Sequence, residues 1–465
     1  MAKAGRSYII RMVSAITAVS AVMMLLGACR SGKTDIPDIP SPDDTAYSES
    51  EATDPSHESD PNEHILSTLN VALPYQDSTV RYLAQMYYAK KNNLWDKNYT
   101  GSDIDLDQLS SINTDLIITS SRTFEEGVSS SVLSSWKSNN AMPDLFLASD
   151  INDAADSGLI VPLNDFTGAD PSFDNDRIFA NCVLECTRDG KIYGIPHAVS
   201  VELLIGNSDF IPSSGRPPVI YTCDEFAEYL NAVKTEYPGT VPIMSASDLF
   251  PYIGSAFNHG EKTSYMLNKE YKAQPILIEN VFDNEKEFIA ALYSEGLSKD
   301  KDSNGANPVY SRQCALWTAS SATLKTWEVY YPDNIYTMFL PSYDPDNQAP
   351  ANVHVYPLCV SSTASNGKLA ADFASFISFD TDAQLLIQRC EMRSGFFPVT
   401  RSSAVWDIIH EDSAVGQTSY ILKQILDNAV FVPADDSDPV FAKTKDYFAD
   451  FGSREEYSLE ELYGN

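Results

Sequence analysis

Basic side chains are scarce in this sequence. There are 32 Lys and Arg residues against 65 Asp and Glu, which gives a formal net charge of -33 at pH 7 and a pI of about 4.4. Nucleic-acid binding requires basic patches that neutralise phosphates, so this composition excludes nucleic acid as an expected partner. Histidine is also scarce, with six residues, and their positions show no spacing typical of a metal site. We therefore expect neither a metal ion nor another cofactor.

The common sequence signatures of catalysis are missing as well. The chain has no Gly-x-Ser-x-Gly elbow for a nucleophile and no glycine-rich loop that would bind phosphate. Residues 300–305 resemble the start of a calcium loop, but Ser311 occupies the position of the bidentate Glu, so a turn is the simpler expectation for 300–311. Paired carboxylates abound in so acidic a chain, and their number alone leaves a glycan-cleaving enzyme open.

The N-terminal region has the pattern of a secretion signal. Basic residues at positions 3, 6 and 11 precede an apolar segment over 12–26, which is too short to span a membrane comfortably. The segment ends in Leu-Gly-Ala-Cys at 26–29, which resembles the lipobox of bacterial lipoproteins. This resemblance implies a signal peptide over 1–28 and lipidation of Cys29, which would anchor the protein at the extracytoplasmic face of the bacterial cell membrane. The alternative is an ordinary secretory signal with an incidental cysteine.

The segment after Cys29 has almost no large apolar residue. It is rich in Ser, Pro, Asp and Glu, with only Arg30 and Lys33 as basic residues up to about Glu63. Such a segment cannot bury enough apolar surface to offset the entropy of ordering, and its like charges extend it. We interpret residues 29–64 as a lipidated Cys followed by a disordered acidic tether.

The remaining chain alternates strand and helix patterns. Strands are predicted over 68–73, 116–119 and 144–148, and helices over 78–91 and 124–139, a pattern typical of a parallel α/β sheet covered by helices. After residue 207 a Thr-Cys-Asp-Glu capping box at 222–225 predicts another helix, with Phe226, Leu230 and Val233 on its buried face. A chain of this length exceeds what one core usually holds, so two α/β lobes are expected.

Residues 189–207 are predicted to join these lobes. Two apolar runs are separated there by Pro196, which cannot donate a backbone hydrogen bond within a sheet, so we interpret the stretch as two extended segments joined by a stiffened hinge.

The cysteines predict no disulfide framework. Cys182 and Cys186 lie four residues apart in a predicted helix, too far for a disulfide, and the spacing of the other cysteines indicates no pairing.

Seven segments together resemble a known family. Their order and spacing over residues 65–465 are similar to those of the extracellular solute-binding proteins of family 1, the maltose-binding-protein-like components of bacterial ABC importers. The segments are residues 143–146, 157–163, 190–196, 222–226, 313–317, 369–384 and 395–398.

This resemblance implies a type II periplasmic-binding-protein-like fold with two α/β lobes and three crossing segments, near 198–201, 307–310 and 353–356. The first lobe would comprise residues 65–198 and 309–354, and the second residues 199–308 and 355–465. It further implies a monomer without catalytic activity that captures a small solute, most simply an oligosaccharide, for ABC permease subunits in the membrane. A surface glycan-binding lipoprotein without a transport role, or a glycan-cleaving enzyme, is the alternative.

The same resemblance places ligand contacts in loops at the cleft, since ligands of open parallel sheets bind beyond the carboxyl ends of the strands. For the acidic and aromatic positions, helix capping and core packing are the competing interpretations. Two departures reduce the expected aromatic stacking: Gly206 stands where an aromatic residue is common, and residues 320–322 replace a Gly-x-Trp pattern. The expected ligand-binding residues are Tyr75, Gln76, Asp77, Asp150, Asp248, Phe250, Trp317 and Trp406.

Overall fold

A computed structural model describes most of the chain after the predicted tether. The described residues are 67–95, 104–123, 127–149, 151–164, 178–218, 220–250, 252–257, 279–300, 307–343, 352–391, 395–411, 415–426 and 430–431. The expectations for the signal peptide, Cys29, the tether and Asp150 lie outside these residues. Among the helices that are described, none has the length and apolarity to cross a membrane.

Eleven of the described strands form one mixed sheet. Its main path runs β2-β1-β3-β11-β6-β9-β7-β8, and β10 and β12 pair with β6 while β13 pairs with β11. A separate hairpin consists of β4 and β5. The strands are β1 Ser67–Leu73, β2 Leu116–Arg122, β3 Leu145–Leu147, β4 Thr187–Arg188, β5 Lys191–Ile192, β6 Ile195–Asn207, β7 Val241–Met244, β8 Ser298–Lys299, β9 Cys314–Ser320, β10 Ile335–Met338, β11 Asn352–Val360, β12 Phe397–Pro398 and β13 Val430–Phe431.

Helices cover this sheet and connect its strands. Short 3₁₀ helices at Ser208–Phe210, Ala246–Leu249 and Ser321–Thr323 follow the ends of β6, β7 and β9. The α-helices are α1 Asp77–Lys91, α2 Leu106–Ser110, α3 Ser130–Ser138, α4 Asn152–Asp156, α5 Ala180–Glu185, α6 Cys223–Glu236, α7 Gly254–Phe257, α8 Glu279–Ser294, α9 Leu324–Tyr330, α10 Gly367–Phe379, α11 Thr381–Glu391, α12 Ser403–His410 and α13 Gly416–Ile425.

The end of the sheet that contains β2, β1 and β3 is parallel, as the alternation of strand and helix patterns predicts. Strand β1 pairs in parallel with both β2 and β3. Alternate β1 residues such as Leu69 and Val71 enter a core that α1 completes with Leu83 and Met86 and α10 with Phe373. The apolar 3.6-residue periodicity of α1 and the two-residue periodicity of β1 therefore meet in one hydrophobic cluster.

The opposite end of the sheet, around β7, is also parallel. This strand pairs in parallel with β8 and β9. The capping box that the sequence predicts is present: Glu225 N–H donates to Thr222 Oγ1 (3.2 Å), and Thr222 N–H donates to Glu225 Oε2 (2.8 Å). The predicted buried face of α6 is confirmed, since Phe226, Leu230 and Val233 lie in a second core. Capping of this kind typically stabilises a helix by about 1 kcal/mol.

Strand β6 joins the two ends. It is one continuous strand of 13 residues, buried throughout, so the prediction of two extended segments interrupted at Pro196 is wrong. Pro196 is tolerated because it lies opposite Pro357, next to a bulge between Tyr356 and Pro357 where the ladder is already irregular. The N-terminal part of β6 pairs with β11, and its C-terminal part pairs with β9 and β10.

Two returning segments pack differently from the expected assignment to lobes. Residues 314–338, expected in the first lobe, pair with the C-terminal part of β6 and share the core of Phe226 and Leu230. Residues from Tyr356 through α11, expected in the second lobe, contribute to the core of β1 and α1. The physical reason is the strand order, which places β11 between β3 and β6 but β9 between β6 and β7.

Candidate functional site

The strand registers make the carboxyl ends of the two parallel groups face each other across the first half of β6, between Ile195 and Glu202. Strand β3 runs parallel to β6, because both are antiparallel to β11, and it ends at Leu147 level with Ile195. From the other end of the sheet, β9 runs toward the same point and ends at Ser320, opposite Glu202. Loops that bind ligands in open α/β sheets follow such carboxyl ends, so the candidate site lies around residues 198–202.

The two faces of the sheet differ in this region. Residues that are opposite in an antiparallel pair point to the same face, so Val199, Val201, Val353 and Val355 share one face, and all four belong to an apolar core. The other face carries polar groups, namely Ser200, Glu202, Thr318, Ser320, His354 and Tyr356. We call this second set the polar face of β6.

The polar face is largely hydrogen-bonded within itself. His354 Nε2 and Glu202 Oε1 are 3.0 Å apart, and both side chains are buried, with residue exposures of 2% and 7%. The hydroxyls of Ser200 and Tyr356 are 3.0 Å apart, and Ser320 Oγ donates to Ser200 Oγ at 3.2 Å. Burying so many polar groups is costly unless they are paired, and here the pairs link β6, β9 and β11.

Thr318 and Ser320 bring the polar face toward solvent. Both residues are half-buried, in contrast to the fully enclosed Ser200. The Thr318 hydroxyl makes no hydrogen bond to any residue that the structure describes. The Thr318 hydroxyl is buried in this structure, so a ligand reaches it only after the side chain turns toward solvent, and a ligand hydroxyl would then provide the missing hydrogen bond.

The wall at the carboxyl end of β7 is also polar. The Tyr293 hydroxyl donates to Asp300 Oδ1 at 2.5 Å and lies 3.2 Å from Ser247 Oγ in the following 3₁₀ helix. Burial raises the pKa of Tyr293 well above its ordinary value of 10.0, and the hydrogen bond to Asp300 raises it further. This phenol therefore stays protonated and holds the loop after β7 against α8.

Comparison with solved structures identifies this architecture. Neither a protein-family model nor a curated protein sequence matches the chain. The sugar-binding protein MalE from Xanthomonas citri superposes with a TM-score of 0.62 at 13% identity, covering 85% of this chain and 95% of that chain. The chain has the type II fold of the extracellular solute-binding proteins. The expected fold class is thereby confirmed.

Two further solute-binding proteins agree with this result. A Listeria monocytogenes ABC substrate-binding protein in complex with cycloalternan gives a TM-score of 0.60 at 13% identity, covering 83% of this chain and 93% of that one. The cyclic α-maltosyl-1,6-maltose binding protein from Arthrobacter globiformis gives 0.59 at 15% identity, covering 85% and 96%. At such identities the likeness shows a shared fold.

Three of the expected ligand residues reach the surface of the solute-binding fold at the appropriate strand ends. Gln76 and Asp77 follow β1 and are exposed, and Asp77 Oδ1 accepts a hydrogen bond from Ser120 Oγ at 2.6 Å. The Gln76 backbone N–H donates to Glu391 Oε1 at 3.0 Å. Asp248, also exposed, lies in the 3₁₀ helix after β7. Their roles in ligand binding stay a prediction.

The expected aromatic contacts are placed in the hydrophobic cores. Tyr75 is hydrogen-bonded to His197, which in turn contacts Ser378 Oγ at 2.9 Å. Phe250 packs in the core of α6 with no exposed surface. Trp406 is equally buried, stacks on Phe397 and donates its Nε1–H to Thr400 O at 2.8 Å. In this structure, core packing accounts for these three side chains.

Trp317 is also buried, but its indole N–H is unpaired among the described residues. It lies on the apolar face of β6, opposite Ile205, and stacks on Tyr331 with ring centroids 5.3 Å apart. Its Nε1 has no hydrogen-bond partner among the described residues. Because Trp317 and Thr318 alternate along β9, only Thr318 belongs to the polar face.

Gly206 shows how the sequence departs from the expected aromatic pattern. A Cβ atom at this position would lie 2.1 Å from Cζ of Tyr336, because the Tyr336 ring packs directly over the glycine. The neighbouring strand β10 thus supplies an aromatic ring above β6, and Tyr336 is hydrogen-bonded to Tyr229 between hydroxyls at 2.7 Å. The missing aromatic side chain at position 206 is what leaves room for this ring.

Glu202, His354 and Thr318 were not among the expected site residues. The available signal was the two-residue alternation in β6, which places Ser200 and Glu202 on one face between valines and leucines. Predicting the pairing of Glu202 with His354 requires the register between β6 and β11, and the sequence pattern does not specify it. The two residues are 152 positions apart in the chain. Among the described residues, no group of three or more His, Cys, Asp or Glu side chains could hold a metal ion.

Proposed function

We propose that the protein is a solute-binding component of an ABC importer that captures an oligosaccharide beside the polar face of β6. The observation that carries this proposal is that two sets of strand carboxyl ends face each other across β6, with β3 ending level with Ile195 and β9 ending opposite Glu202. The structural neighbours named above support the sugar: one is described as a sugar-binding protein, one was solved in complex with cycloalternan, and one is described as a cyclic α-maltosyl-1,6-maltose binding protein.

The chemistry of the polar face suits a polyol. Hydroxyls such as those of Thr318 and Ser320 both donate and accept, as sugar hydroxyls do, and the Ser320 hydroxyl is held in place by its hydrogen bond to Ser200. A ligand that contacts loops from both ends of the sheet favours the arrangement in which those loops are close. No covalent step is required of these residues, and the protein acts by binding alone.

The proposed setting follows from the N-terminal sequence. Lipidation at Cys29 would hold the protein at the extracytoplasmic face of the cell membrane, and the acidic segment that follows would let a monomer reach the permease subunits. Labelling with a fatty-acid probe in the native bacterium, with Cys29→Ala as the unlabelled control, tests the anchor independently of ligand binding.

The ligand is tested by a thermal-shift screen of the purified full chain. Maltooligosaccharides, monosaccharides, amino acids, peptides and polyamines are compared, and a saturable rise in Tm is expected with an oligosaccharide. A ligand at about 100 times its Kd stabilises a folded protein by about 2.7 kcal/mol, which is readily detected. If all sugars fail while another solute class raises Tm, the proposed ligand is wrong.

Substitutions then locate the site. Ser320→Ala and Thr318→Val should each lower the affinity for the identified sugar about tenfold, because each removes one hydroxyl from the polar face. Thr235→Ala is a matched control, since its hydroxyl bonds only along the exposed face of α6, to Asn231 O. Unchanged affinity in both polar-face variants would place the sugar elsewhere.

A further inference from the structure

A cavity of about 300 Å³ lies at the β10 edge of the sheet. One wall is the segment Arg216–Pro218, and the other is formed by Thr337–Phe339 with Thr418 of α13. Its size is at the lower end of pockets that bind small molecules. The cavity adjoins the part of β10 that pairs with Leu204 and Ile205, so it lies on the β10 side of β6, whereas Thr318 and Ser320 of the polar face lie on the β9 side.

Arg216 provides this cavity with an exposed positive charge. Its guanidinium lies over the Tyr336 ring, 4.9 Å from the centroid, and forms no ion pair or hydrogen bond with any described residue. The chain has twice as many acidic as basic residues, yet none of the described lining residues is acidic. The N–H donors of a guanidinium lie in its own plane, so a guanidinium that lies over an aromatic ring can still bind an oxyanion through two hydrogen bonds.

Two threonines add a hydroxyl donor on the opposite wall. Thr337 and Thr418 are both buried, and their hydroxyl oxygens are 2.7 Å apart. The only other acceptor of the Thr418 hydroxyl within the described residues is Thr337 O at 3.5 Å, the long limit for a hydrogen bond. Either threonine can donate the 2.7 Å bond, and when Thr337 is the donor, an oxyanion in the cavity offers the Thr418 hydroxyl a closer acceptor than Thr337 O.

We propose that this cavity is a second ligand site, which binds a small carboxylate- or phosphate-bearing anion through Arg216 and Thr418. The volume of about 300 Å³ accommodates a small anion of up to about the size of a monosaccharide. The site is independent of the sugar site proposed above, and either can exist without the other.

Titration calorimetry of the purified full chain tests this site. Inorganic phosphate, glucuronate and acetate are titrated at constant ionic strength, with glucose as the neutral counterpart of glucuronate. Saturable binding is expected for at least one of the anions and not for glucose. Binding of phosphate alone identifies a phosphate site, and binding of glucuronate or acetate identifies a carboxylate site. If none of the three anions binds saturably, the proposal is refuted.

Variants assign any binding to the cavity. Arg216→Ala should lower the affinity for the anion about tenfold or more, and Arg216→Lys, which keeps the charge, should lower it less. Arg312→Ala is the matched control, because Arg312 also lies over a tyrosine ring, 5.1 Å from the centroid of Tyr331, but does not line the cavity. Thr418→Val tests the opposite wall without touching the arginine. Anion affinity unchanged in both Arg216 variants would overturn the assignment, and the sugar-induced Tm shift should be the same in every variant.

Discussion

Replacing Gly206 by alanine should destabilise the protein through a collision with Tyr336. The new Cβ would lie 2.1 Å from Cζ and 2.5 and 2.6 Å from the two Cε atoms of the ring, so the ring must move. The ring is only 5% exposed and packs among core residues, so it has little space to move into. Overpacking of this kind costs about 1 to 3 kcal/mol, and loss of the Tyr336–Tyr229 hydrogen bond adds about 1 kcal/mol.

A double-mutant cycle separates this collision from other effects of the substitution. Tyr336→Ala alone should cost about 3 to 5 kcal/mol, because it leaves a large cavity. In that background Gly206→Ala should cost less than about 0.5 kcal/mol, since there is no ring to displace and alanine restricts the unfolded chain more than glycine does. The coupling energy between the two sites is then about 2 kcal/mol or more.

Urea denaturation of the four proteins provides the measurement. The midpoints should differ while the slope of unfolding free energy with urea stays constant, as for changes in stability alone. If Gly206→Ala costs the same with and without the Tyr336 ring, the two sites are independent and the explanation given for Gly206 is wrong.

Three further predictions concern burial and capping. Burial raises the pKa of Glu285 well above its ordinary 4.5, so the folded state keeps a proton that the unfolded state loses, and stability falls as pH rises above about 4.5, by up to about 1.4 kcal/mol per pH unit. Glu285→Gln should flatten this dependence of stability on pH, measured by thermal unfolding between about pH 4 and 8. Equal pH dependence in the variant and the original protein would contradict this explanation. Trp406→Phe should lower the unfolding free energy by about 1 to 3 kcal/mol in urea while sugar affinity, measured by calorimetry, stays unchanged; a selective loss of affinity would instead make Trp406 a ligand contact. Thr222→Ala should cost about 1 kcal/mol of stability in urea, whereas no change would mean that the capping box is not energetically significant.

Local patterns predicted the elements well. The strand at β1, the amphipathic helix α1 and the capping box of α6 all follow from interactions within a few residues, which the sequence displays directly. The α/β class followed as well, because alternating strand and helix patterns restrict the architecture to a helix-covered sheet, whereas the type II arrangement was expected only from the resemblance to the solute-binding family.

The packing partners were not predictable in the same way. Which half of the sheet receives β9 and β11 depends on pairings over more than 100 residues, and no local pattern encodes them. Aromatic residues near strand ends were similarly ambiguous, because Phe250 and Trp406 have the same local sequence signals whether they stack on a sugar or fill a core. Only their burial distinguishes the two.

The position of β11 in the sheet has a consequence for how the chain folds. The parallel group β2-β1-β3 reaches β6 only through β11, whose residues 352–360 come late in the sequence. During synthesis the earlier strands therefore exist as two unconnected pieces until about three quarters of the polypeptide has emerged from the ribosome. Closing contacts over such separations slows folding, so a nascent chain should remain protease-sensitive until residue 360 is available.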